Sequence, residues 1–157
     1  MPRSENEIAL RIVVQRPPRG VRFQIQRAHG ALLSPAHTTA DRISFDFTLH
    51  IGPPQADGRP NLRGDFAQGP PSTRFVYVNS GVRADQKESC WDRRAKVPLG
   101  GITMEQVERA LATPRSYLEA AIQGTARDGG PACATVQLLD PGWRLKTAQP
   151  SKYRRRA

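Results

Sequence analysis

From Ile43 to Ile51 the chain alternates without a break: Ile43, Phe45, Phe47, Leu49 and Ile51 are apolar, and Ser44, Asp46, Thr48 and His50 between them are polar. Side chains repeat direction every two residues in a strand but every 3.6 in a helix, so only a strand gathers these five apolar groups on one face. A strand with one greasy face needs a second layer to cover it. This segment therefore predicts a sheet packed on another element, and the rest of the chain has to supply that element.

Two more alternations precede it. Ile8, Leu10, Ile12 and Val14 form one apolar face, and Val21, Phe23 and Ile25 another, with Pro17, Pro18 and Gly20 between them. Each reads as a strand with one wet face, as in an antiparallel sheet covered on one side, and their closeness predicts a hairpin or near neighbours. Gly52-Pro53-Pro54 stops the long strand, and the Pro- and Gly-rich stretch 52–73 is a long loop of the kind that carries function. The run Arg74-Phe75-Val76-Tyr77-Val78-Asn79 follows, apolar on both faces, and is expected at the centre of a sheet.

Further on, Thr103 and Gln106 have the spacing of a capping box ahead of Val107, Ala110 and Leu111, which predicts one helix near 103–113, stopped by Pro114. The run from Tyr117 to Ile122 fits a helix by propensity and a strand by period. The turn signal Asp128-Gly129-Gly130-Pro131 ahead of the run 132–139 favours a hairpin, with Trp143 packing where the fold closes. Six or seven short strands and one helix, without a βαβ rhythm, predict a mainly β (α+β) fold: an antiparallel sheet curled into a small barrel or sandwich.

At 157 residues the chain fits one domain, expected over 8–143, after a disordered start at 1–7. Six of the 24 Lys and Arg, and none of the 14 Asp and Glu, lie from Arg144 onward; residues 144–157 read as a basic disordered tail on a mildly basic body. The start has no apolar signal core, and no run approaches the roughly 18 apolar residues of a membrane span. The expected location is the cytoplasm, where Cys90 and Cys133 would be free thiols.

The runs Arg74-Phe75-Val76-Tyr77-Val78-Asn79-Ser80-Gly81, Cys90-Trp91-Asp92-Arg93-Arg94-Ala95-Lys96-Val97-Pro98-Leu99 and Gly124-Thr125-Ala126-Arg127-Asp128-Gly129-Gly130-Pro131-Ala132-Cys133-Ala134-Thr135-Val136, with Phe66-Ala67-Gln68-Gly69-Pro70-Pro71 ahead of them, resemble a family of uncharacterised bacterial domains of unknown function. The resemblance covers roughly 8–143. It implies a domain over that range and supplies no catalytic residues.

Chemistry concentrates between 63 and 96. Arg83, Lys87, Arg93, Arg94 and Lys96 are cations, and the planar fork of Arg suits carboxylate or phosphate. Tyr77 and Trp91 offer flat apolar faces with polar tips, and Asn79 adds an amide. The expected ligand-binding set is Tyr77, Asn79, Trp91, Arg93, Arg94 and Lys96, recognising an anionic small molecule or a protein partner. An edge strand protected by its charges is the bland alternative. Cys90 lies among these cations, which would lower a thiol pKa, but His29, His37 and His50 are distant in sequence, so a cysteine enzyme is the minor reading. The basic tail gives a nucleic-acid alternative through salt-dependent phosphate contacts. No metal-ligand spacing is present, and 124–130 lacks the Gly-Lys-Ser/Thr ending of a P-loop, so neither metal nor cofactor is expected.

Overall fold

The computed structural model describes residues 6–17, 21–29, 32–82, 93–126, 134–138 and 142–148. Along the chain run β1 (Glu7–Gln15), β2 (Val21–Gln26), β3 (His37–Thr38), β4 (Arg42–Gly52), β5 (Asn61–Arg63), β6 (Phe75–Val82), β7 (Arg93–Pro98), α1 (Met104–Ala112), β8 (Ser116–Ala126), β9 (Ala134–Leu138) and β10 (Arg144–Thr147). The fold is mainly β with one helix, as expected, and the described strands form two sheets rather than a closed barrel.

The larger sheet is ordered β10-β8-β1-β4-β3, with β9 also on β8 and β5 also on β4. Its register explains the alternations. Ile8, Leu10, Ile12 and Val14 of β1 lie opposite Leu49, Phe47, Phe45 and Ile43 of β4. On the other side, Leu10, Ile12 and Val14 lie beside Leu118, Ala120 and Ile122 of β8. All of these belong to one buried cluster. The β1–β8 pairing is parallel, so the sheet is mixed rather than wholly antiparallel. A parallel neighbour needs a crossover, and here the chain between β1 and β8 includes the whole smaller sheet and the helix.

The smaller sheet is β2-β6-β7, antiparallel throughout, and β6 is its centre as its two apolar faces predicted. Phe23, Ile25, Val76, Val78 and Val97 enter the same cluster, which makes this sheet the second layer that β4 required. The expected hairpin between the first two strands is not formed. Both edges of β1 are occupied by β4 and β8, so β2 finds its partner in β6.

Helix α1 is capped as its sequence dictates: the Thr103 hydroxyl accepts from the Gln106 amide at 3.1 Å, and the Gln106 side chain accepts from the Thr103 amide at 3.0 Å. Val107 and Ala110 are its buried residues. At its other end the Ser116 hydroxyl lies 2.8 Å from the Ala110 carbonyl and 2.7 Å from that of Thr113, so the first residue of β8 offers its one hydroxyl proton to the open carbonyls of the last turn. Trp143 is buried, its indole N–H donating to the Pro98 carbonyl at 2.8 Å.

The hairpin after α1 is present, with β8 and β9 antiparallel. Arg144–Thr147, expected in the basic tail, instead continue along β8 as β10, pairing Arg144 with Glu119 and Lys146 with Tyr117. The alternation of Leu145 with two cations is too short to read as a strand alone. What makes it one is the edge of β8 left open beyond β9.

Candidate functional site

Of the residues nominated between 63 and 96, the structure describes some and brings part of them together. Tyr77 lies opposite Lys96, and Asn79 opposite Arg94, while Arg93 lies opposite Ser80. Tyr77 and Phe75 meet edge to face at 4.7 Å between centroids, and the Lys96 ammonium lies 4.5 Å from the Phe75 ring centre. Asn79 is buried; its amide donates to the Gln26 side chain at 3.2 Å, and its own carbonyl oxygen has no hydrogen-bond partner. Trp91, Cys90 and Cys133 lie outside the described residues. Tyr77, Asn79 and Lys96 thus share a patch on the face of the smaller sheet turned away from the core.

Arg74 is anchored to the loop that carries β5. Its guanidinium donates to the Leu62 carbonyl, and its Nε is buried without a partner. Burial, with Arg63 nearby, pushes its pKa below the ordinary arginine value. The cleft beside it, reached by Gln55 and Arg59, has a volume of about 20 Å³. That is room for a water molecule, not for a metabolite.

A larger concavity lies on the outer face of the main sheet, which the sequence reading did not single out. The odd residues of β1 point there. Arg11 pairs with Asp46 across the strands, Nε to Oδ1 at 2.7 Å, and its guanidinium stacks on Tyr117 at 4.3 Å from the ring centre. The Asp46 hydrogen bond raises the Arg11 pKa above its ordinary value, partly offset by burial. Next along β1, Val13 is only 2 % exposed although it faces away from the core. Long side chains from neighbouring strands roof this part of the sheet.

The centre of that roof is Glu119 of β8. Its side chain is 10 % exposed; one carboxylate oxygen accepts from the Lys146 ammonium at 2.7 Å, and the other is 3.5 Å from an Arg42 guanidinium nitrogen. That second oxygen is buried and makes no hydrogen bond. Buried carboxylate oxygens nearly always accept one, so an open position here needs an explanation. Around it a concavity of about 500 Å³ is bounded by Val13 and Gln15 of β1, by Arg16 and Asp41 at one end, and by Arg42, Glu119 and Lys146.

The end formed by Arg16 is unusual in its backbone. Arg16 has φ 49°, a left-handed conformation costly for a residue with a side chain, and its amide donates to the Asp41 carbonyl at 2.8 Å. The turn ties the end of β1 to the start of β4. Strained non-glycine positions cluster where structure serves binding or switching.

The concavity has a size that suits a small metabolite, and its lining offers three cations and two carboxylates. Its parts come from β1, β4, β8 and β10, so no local motif announces it. The available signal was an acid within an otherwise apolar strand, Leu118-Glu119-Ala120, together with Arg42 just ahead of the strongest alternation. Among the described residues no group of three or more His, Cys, Asp or Glu is placed to hold a metal, and no helix is long and apolar enough to cross a membrane.

Comparison with known proteins adds a family and no activity. A model described as a family of unknown function (DUF5990) matches residues 8–146, and the chain belongs to that family. The match runs through most of β10. No curated protein and no solved structure matches the chain.

Proposed function

We propose that this member of the DUF5990 family is a binding domain for a small charged molecule with at least one acidic group, held in the concavity on the outer face of the main sheet. One observation carries the reading: the buried Glu119 carboxylate, with an oxygen free of hydrogen bonds, lies between Arg42 and Lys146 beside a space of about 500 Å³. The cations outnumber the carboxylates in that lining, so an acidic ligand group is favoured there. Arg42 is the best placed to receive it, since it is half exposed and too far from Glu119 for a hydrogen bond.

A ligand that binds only the folded form raises the unfolding temperature by mass action. Thermal unfolding of the full chain with a panel of small carboxylates, phosphates and amino acids is the test. The reading expects at least one member to raise the midpoint in a dose-dependent way for the wild type and not for Arg42→Met. A panel that leaves the midpoint unchanged, or a shift that survives intact in Arg42→Met, would overturn it.

A second reading places an anionic ligand on the smaller sheet, at Tyr77, Asn79 and Lys96 with Arg94 paired beside them. The buried Asn79 carbonyl without a hydrogen bond and the Lys96 ammonium beside an aromatic pair favour it. The concavity of about 500 Å³ lies on the other sheet, and for that reason this reading ranks second.

A further inference from the structure

We infer that the ligand of the main-sheet concavity is an α-amino acid, recognised by its ammonium and carboxylate together, with an acidic side chain preferred. The inference rests on the reading of that concavity as a binding site and adds the chemistry of the occupant.

The lining pairs opposite charges at a particular spacing. The open Glu119 oxygen and the nearest Arg42 nitrogen are 3.5 Å apart, close enough to attract and too far to hydrogen-bond well. In an α-amino acid the ammonium nitrogen and a carboxylate oxygen are joined through Cα and the carboxyl carbon, roughly 3 Å apart by standard bond lengths. The Glu119 oxygen is itself covered, so the half-exposed Arg42 side chain turns outward to admit the ligand; the ammonium then donates to the oxygen that lacks a donor, and the carboxylate accepts from the guanidinium. Both protein groups then gain charge-assisted hydrogen bonds without leaving their strands.

A simple anion fits this lining less well. It would satisfy Arg42 but bring negative charge against Glu119, whose open oxygen would remain without a donor. A simple cation would satisfy Glu119 and face Arg42, Lys146 and Arg16. Only a group bearing both signs at short range answers both. Once the α-groups are placed, Arg16, Lys146 and Asp41 remain, an excess of one positive charge over the rest of the lining. An acidic side chain uses that excess.

The ion pairs Arg42–Glu119 and Glu119–Lys146 also have a structural role, since they tie β4 and β10 to β8. That role accounts for the Lys146 hydrogen bond. It does not account for the second oxygen, which a fully structural bridge would place in hydrogen-bond contact with Arg42.

Calorimetric titration of the full chain with L-glutamate, glutarate and γ-aminobutyrate tests the inference. Glutarate is glutamate without the ammonium, and γ-aminobutyrate carries both charges but separated by three methylenes. A site built to hydrogen-bond a group rejects the analogue that lacks it, so glutamate should bind about tenfold or more tighter than either. In Glu119→Gln glutamate should lose about that factor, while glutarate binds as well or better once the negative charge is gone. Equal binding of glutarate and glutamate by the wild type would overturn the amino-acid inference and leave the binding reading standing. No heat with any of the three, together with no stabilisation by the wider panel, would sink both. The wild-type comparison is decisive on its own even if Glu119→Gln fails to fold.

Discussion

Glu119 and Arg11 are neighbours on the same sheet face, paired directly across β8 and β1, yet their environments differ in kind. Arg11 has its carboxylate in Asp46 and a ring in Tyr117, and nothing in its surroundings is left open. Because its folded-state pKa is raised, its contribution to stability is fully present below the ordinary arginine value and is lost only as pH rises through the still higher folded value, beyond any working condition. The Arg11→Met variant should therefore lose about 0.5–1 kcal/mol, as exposed pairs do, since Asp46 is 41 % exposed. Urea unfolding should give the same loss at pH 7 and at pH 9; a loss that disappears at the higher pH would contradict that assignment. Glu119 differs because its pairing is incomplete: one oxygen accepts from Lys146 and the other accepts no hydrogen bond.

At the scale of elements, the strands with strict alternation and the capped helix were legible in the chain. Their signals are local: a period of two from Ile43 to Ile51, a hydroxyl and an amide three residues apart at Thr103 and Gln106. The pairing was less legible. Nothing near Val14 says that it will lie beside Ile122, and the closeness of β1 and β2 in sequence suggested a hairpin that the occupied edges of β1 forbid. The last strand was missed for a related reason, since Arg-Leu-Lys-Thr looks like part of a basic tail until the edge of β8 is seen. Ending the chain at Trp143 should therefore remove β10 with its Lys146–Glu119 bond and lower the unfolding temperature. Ending it at Ala148 should not. Equal stability of the two shortened chains would show that β10 adds nothing to the fold.

On the scale of the whole molecule, two layers share one core, and each leaves an outer face. The nominated cluster between 63 and 96 led toward the face of the smaller sheet, because Arg93, Arg94 and Lys96 are dense in sequence. Of that cluster the structure sets Tyr77 opposite Lys96 and Asn79 opposite Arg94, while Trp91 lies outside the described residues. The main-sheet concavity draws on Gln15, Arg42, Glu119 and Lys146, four strands brought to one face by register alone, so the chain could show its residue types and not their meeting. The tail beyond 148 carries most of the basic excess of the C-terminus, and that excess is the basis of the nucleic-acid alternative. Mapping amide shifts of the isotope-labelled full chain during a glutamate titration locates the ligand on one sheet or the other. With glutamate in the main-sheet concavity, shifts gather at 13–16, 41–42, 117–121 and 144–147. Shifts confined to 75–79 and 94–98, or none at all, would contradict that placement.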